Sequence, residues 1–115
     1  MLLVKLDQFD PDDSSSLRVD TNNTGWMPGE SSLQIMPLHD YEKESVYLLK
    51  WPPDARVRTH RHFGGEEIFV LSGELFDEYG RYPAGTWLRS PHNSEHCPYT
   101  EQDTVLWVKT GHLIP

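Results

Sequence analysis

His60-Arg61-His62-Phe63-Gly64-Gly65-Glu66-Glu67-Ile68-Phe69-Val70-Leu71-Ser72-Gly73 places metal-ligand residue types directly ahead of a buried-strand pattern. In an extended strand successive side chains point to opposite faces, so His60 and His62 share a face with Cα atoms roughly 6.6 Å apart, and two imidazoles can converge on one ion. Phe63-Gly64-Gly65 reads as a tight turn, because two glycines supply backbone conformations that other residues avoid. The turn returns the chain with Glu66 opening the next strand. There Glu66, Ile68 and Val70 have one parity and Glu67, Phe69 and Leu71 the other, so only one glutamate faces the histidines. Parity alone leaves both open, since a bulge at Gly65 would bring Glu67 inward in place of Glu66.

An isolated His-x-His is more often a pair of exposed strand residues than a metal site. A second stretch changes that balance. Residues 85–96, Gly-Thr-Trp-Leu-Arg-Ser-Pro-His-Asn-Ser-Glu-His, read as a strand, a Pro-centred turn and a histidine that opens another strand. From Ser32 onward β-type runs recur at 32–38, 45–51, 56–62, 66–72, 74–79, 85–89, 95–98 and 104–109, with no competing helix of useful length. Such runs, bounded by Gly, Pro, Asn and Asp, predict an all-β sandwich or barrel, and closure into a jelly roll removes exposed strand edges. Tyr79-Gly80 is the expected hairpin tip, and Pro83-Ala84-Gly85 the turn into the strand that leads to His96.

Together the two stretches resemble the cupins. The first cupin motif runs Gly, five residues, His-x-His, three or four residues, Glu, six residues, Gly; His60, His62, Glu66 and Gly73 fall on it, with Asp54 at the leading glycine. Gly85, Pro91 and His96 fall on the second motif, with Asn93 where a glycine is usual and Thr100 where the closing asparagine stands. Asp and Asn are the non-glycine residues that best tolerate a left-handed backbone, so turns at 54 and 93 survive the replacements. Three phrases, at 60–67, 77–86 and 90–96, carry a closer resemblance to the ChrR-like cupins, named for the zinc-binding cupin domain of an anti-sigma factor. It spans about residues 45–110.

This resemblance implies a single-domain cupin jelly roll, or double-stranded β-helix barrel, with one divalent transition metal ion held by His60, His62, Glu66 and His96. Three neutral imidazoles and a carboxylate suit Zn, Fe, Mn, Ni or Cu and do not suit calcium. Small cupins similar to this chain include non-haem dioxygenases that cleave carbon-carbon bonds in dicarbonyl or hydroxy-ketone compounds, at sites that look like three-histidine centres. The alternative is a non-catalytic zinc-binding sensor or ligand-binding module. The helical sigma-binding domain that usually precedes a ChrR cupin has no counterpart in residues 1–31.

The remaining chain sets bounds. At 115 residues it is long enough for one self-standing domain. A net charge of -8 argues against nucleic acid or an anionic membrane as direct partners. One cysteine makes no internal disulfide, and the apolar run at Met1–Leu6 is too short for a signal peptide or spanning helix, so a cytoplasmic setting is expected. Residues 1–31 read as an arm that packs on the barrel, 32–115, or on a partner. Phe69 and Leu71 point away from Ile68 and Val70, which predicts a homodimer unless the arm covers that outer face. Trp26 is expected to pin its loop to the core. Arg58, on the His60 and His62 face if the strand stays regular, is a candidate for an anionic substrate group. Tyr47, Tyr79, Trp87 and Trp107 are candidate pocket walls. Cys97 reads as a buried inert thiol, and His39, His92 and His112 as solvated.

Overall fold

In the computed structural model, which describes residues 1–58 and 60–113, the alternation from Gln34 onward resolves into antiparallel ladders. The strands are β1 Met27–Pro28, β2 Gln34–Tyr41, β3 Glu44–Trp51, β4 His60–Arg61, β5 Glu66–Ser72, β6 Glu74–Asp77, β7 Gly80–Pro83, β8 Trp87–Ser90, β9 Glu95–His96 and β10 Thr104–Thr110. One 3-10 turn, Thr21–Asn23, is capped by the Asp20 carboxylate, which accepts from the Asn22 N–H. The principal sheet has the order β1-β2-β3-β10-β5-β8. Its register builds rows of inward side chains: Tyr47, Val108, Ile68 and Leu88 lie side by side, and Leu49, Leu106 and Val70 form the next row. Cross-strand pairs of this kind are the unit of sheet stabilisation.

The opposite wall is made from shorter pieces. β4 pairs with β9 and β6 with β7, and Tyr99 ties the pairs together by bridging both Arg56 and Phe76. The Tyr99 ring stacks on Phe76, with centroids 5.2 Å apart, which reinforces the bridge. Leu75 and Val57 from this wall meet Trp51, Val70 and Leu106 in the core. Burying each of these side chains contributes about 1.5–3 kcal/mol. The result is the expected all-β cupin jelly roll, although its sheets do not close into a continuous barrel.

Two elements differ from expectation. Of the run at 56–62, only His60–Arg61 pairs as strand and Arg56 makes an isolated bridge; Thr59 lies outside the described residues. Pro52 and Pro53 enter this segment without amide donors, and Asp54 follows with φ 59°, so the chain turns where a ladder would otherwise begin. β7 was absent from the sequence pattern. The hairpin loop is Glu78-Tyr79, and Gly80 opens the return strand, paired with Asp77.

On the outer face of the principal sheet the N-terminal arm makes polar contacts. Lys5 pairs with Glu67, Lys109 Nζ donates to Gln8 Oε1 at 3.0 Å, and His39 lies 2.8 Å from Asp13. Leu71 and Trp87 on the same face stay about half exposed. Trp26 stacks beneath the Lys50 ammonium. Among the described residues no helix is long and apolar enough to cross a membrane.

Candidate metal centre

The register brings the two motifs together. His60 and His96 are direct neighbours in the β4–β9 ladder. His62 lies just past that ladder, and backbone bonds pin it to the second motif's turn: its N–H donates to Ser94 O at 3.0 Å, and its carbonyl accepts from Asn93 N–H at 2.9 Å. The three imidazoles stand with ring centroids 4.6, 4.9 and 4.6 Å apart, and one nitrogen from each lies within 4.8 Å of the others.

Glu66 enters from the opposite sheet. It shares a row with Thr110 and Ser90, on the inward parity of Ile68, so no bulge exchanges it for Glu67. Its Oε1 lies 3.2 Å from His62 Nε2 and 3.6 Å from His96 Nε2. Two donors each about 2.1 Å from one ion stand about 3.0 Å apart at a right angle and about 3.4 Å apart at the tetrahedral angle, so this spacing fits two ligands of a shared cation. His62 Nε2 and Glu66 Oε1 are buried and make no hydrogen bond. Orphaned buried polar atoms of that kind are costly, and a metal ion at their meeting point satisfies both.

The turns that carry these residues need their residue types. Gly64 and Gly65 have φ of 84° and 78°, and a Cβ on Gly65 would fall 2.6 Å from Leu113 Cβ. Asn93 adopts φ 67°, as its place in the motif predicted. His92, expected in solvent, instead accepts the Gly64 N–H on Nδ1 at 2.8 Å and so clasps the Gly64-Gly65 turn to the turn of the second motif. His60 Nδ1 lies 3.0 Å from the Arg58 carbonyl; a carbonyl only accepts, so the proton sits on Nδ1 and Nε2 keeps its lone pair. The Arg58 side chain is exposed, and its carbonyl is the part of the residue that reaches the site.

Burial sets the electrostatics. It pushes the Glu66 carboxyl up to about 8, and it pushes His62 down to about 4, helped by neighbouring His96 and His60. Burial and His60 also lower His96, against the pull of Asp77. In the metal-free protein this has a measurable sign. Glu66 binds a proton in the folded state that the unfolded chain has released above its ordinary 4.5, so stability falls as pH rises from there to about 8. His62 acts oppositely, between about 4 and 6.5, so the two oppose each other until His62 is neutral in both states. Above that only the Glu66 loss continues. We expect chelator-treated protein to lose stability from about pH 7 to 8, by at most about 1.4 kcal/mol per pH unit, and saturating divalent metal to remove the loss. Urea denaturation at both pH values checks this; flat or rising stability without metal would contradict it.

A cavity of ≈ 350 Å³ opens beside the cluster, lined by His60, His62, His96 and Glu66 and walled by Tyr47 and Trp51 among mostly apolar side chains. The model of the ChrR cupin-like domain matches residues 14–114. The chain belongs to the ChrR-like cupins. No curated protein matches its sequence. Among solved structures, the complex of Rhodobacter sphaeroides SigE with the anti-sigma ChrR aligns at 26% identity and TM-score 0.71, covering 79% of this chain and 51% of that one. This cupin thus spans about half the length of the chain it matches there. A cupin-fold protein from Ralstonia eutropha aligns at 22% identity and TM-score 0.75, over 85% of this chain and 68% of that one. An acetylacetone dioxygenase from Acinetobacter johnsonii aligns at 13% identity and TM-score 0.71, over 93% and 80%. The last two likenesses are of fold alone.

The other candidate residues of this ChrR-like cupin divide by sheet face. Tyr47 lines the cavity, but Tyr79 is 76% exposed, and Trp87 and Trp107 line a separate outer-face cavity with Leu3 and Val4 from the arm. Trp51 is an inner wall that sequence reasoning missed; its parity with Tyr47 on β3 was the available signal. Cys97 is half-buried, and its thiol donates to the Val57 carbonyl at 3.4 Å. His112, expected in solvent, is buried 3.1 Å from Glu67, because the chain end folds back over the Gly64-Gly65 turn.

Proposed function

We propose that this cupin holds one divalent transition metal ion through His60, His62, His96 and Glu66, and acts as a non-haem metal-dependent dioxygenase on a small dicarbonyl or hydroxy-ketone compound. The observation that carries this reading is the cavity: a purely structural crosslink needs no ≈ 350 Å³ space beside it. A bound redox-active ion would supply Lewis acidity toward two ligand oxygens and electron transfer toward dioxygen. The chain's own contribution is placement. Tyr47, Leu49, Trp51 and Ile68 wall the substrate's carbon skeleton and exclude water, while the histidines fix the direction from which its oxygens approach.

The test uses the Fe(II)-loaded protein without air. A β-diketone or α-hydroxy ketone is expected to give a charge-transfer absorption band, followed by oxygen uptake on exposure to air, and His96→Ala is expected to abolish both. If the iron, manganese and nickel forms all fail to bind such ligands, the site is closed and the dioxygenase reading is wrong. The second reading, a zinc-binding sensor, is favoured by the 26% identity to the ChrR-containing structure and by Glu66 standing ready as a fourth ligand. Ligand binding without oxygen uptake supports it.

A further inference from the structure

Asp77 ends β6, a strand that carries none of the four residues of the cluster, yet its carboxylate lies between the β6–β7 turn and His96. Oδ1 accepts three hydrogen bonds: from the Tyr79 N–H at 2.8 Å, the Gly80 N–H at 3.2 Å and the Tyr82 hydroxyl at 2.8 Å. Oδ2 stands 3.4 Å from His96 Nδ1. Both side chains are deeply buried, 8% exposed for His96 and 6% for Asp77. We propose that Asp77 is a positioning residue for the metal centre, holding the His96 proton on Nδ1 and so presenting a bare Nε2 to His62 and Glu66.

Three donors converging on Oδ1 hold the side chain in place, and an ionised carboxylate only accepts, so Oδ2 opposite Nδ1 calls for an N–H there. A neutral imidazole has one ring proton, so Nε2 is left with its lone pair, and Nε2 is the nitrogen 3.6 Å from Glu66 Oε1. The 3.4 Å separation is at the long end for such a bond, so the contact orients the ring more than it anchors it. His60 reaches the same tautomer by another route, through the Arg58 carbonyl. Partners behind a ligating histidine select its tautomer and raise its basicity. The β6–β7 hairpin therefore acts as the support for His96 across the barrel wall.

Asp77→Asn gives the sharpest test, because it preserves shape and inverts polarity. The amide oxygen must stay with the three donors of the turn, which leaves the NH2 facing Nδ1. Donor against donor moves the His96 proton to Nε2 and closes that nitrogen to an ion. Asp77→Ala, by contrast, leaves the ring free to choose. The inference rests on metal binding at the histidine cluster, so one readout is kept independent of metal. Long-range proton–nitrogen spectra of the metal-free protein, assigned with His96→Ala, are expected to show Nδ1–H in the wild type and in Tyr82→Phe, and Nε2–H in Asp77→Asn.

Zinc competition titrations are expected to show Asp77→Asn weakened by about 10–100-fold and Asp77→Ala by less. Nε2–H in the wild type would overturn the proposal whether or not the variants fold, and so would a folded Asp77→Asn whose zinc affinity stays within about twofold. A wild type that takes up no zinc would defeat the metal-binding reading, while the tautomer measurement would still decide the role of Asp77.

Discussion

Replacing His96 with alanine is expected to lower divalent-metal affinity by about two to three orders of magnitude. A four-ligand zinc site has an apparent binding free energy of about 10–16 kcal/mol, so one ligand accounts for roughly 2.5–4 kcal/mol, and each 1.4 kcal/mol is about tenfold. His96 is central to this estimate because its ring is within 4.9 Å of both other imidazoles and its Nε2 faces Glu66. Loss of the ring leaves Glu66 buried with one fewer partner, and its elevated pKa then favours a protonated, poorly ligating carboxyl. His62→Ala is expected to behave alike. A chelator-competition titration measures both, and a change below about fivefold for either variant would place the ion elsewhere.

Gly73→Ala is expected to destabilise the fold by about 2–5 kcal/mol, through a position far from the histidine cluster but fixed by the same motif. Gly73 has φ 77°, where an L side chain costs about 1–2 kcal/mol. A Cβ there would also meet the Asp103 carbonyl oxygen and approach Thr104 Cα to 2.7 Å, and both are backbone. Backbone cannot rotate away as a side chain tip would, so a further overpacking cost of about 1–3 kcal/mol follows. Gly73 joins β5, which carries Glu66, to β6, which ends at Asp77, so the strain reaches both sheets of the site. For a chain of this length the melting temperature should fall by about 10 °C or more. Gly25→Ala is the control, because a Cβ at Gly25 meets nothing within 4 Å. Thermal melts of the two variants check this, and a Gly73→Ala curve overlying the Gly25→Ala curve would show that the turn relaxes.

What could be read from the sequence was what leaves a local mark. The two-residue period put His60 and His62 on one face, and the left-handed φ at Asp54, Gly73 and Asn93 selected residue types that tolerate it. The jelly roll followed from those marks and from the regular spacing of the strands. What depends on a partner distant in sequence was harder to see. Which of Glu66 and Glu67 faces the histidines needed the cross-strand row through Thr110 and Ser90. Trp51 became a cavity wall only once β3 lay beside β10, and Asp77 and His92 looked like ordinary turn residues until His96 and Gly64 were brought to them. His112 is buried because the chain end returns over the Gly64-Gly65 turn, a contact between segments nearly fifty residues apart that no local pattern encodes.

Binding of one ion among His60, His62, His96 and Glu66 is checked by elemental analysis of protein loaded with a divalent metal and dialysed against metal-free buffer. One ion per chain is expected in the wild type and little retained metal in the His62→Ala, His96→Ala double variant. Full occupancy in that double variant, or a wild type that emerges from dialysis without metal, would contradict it.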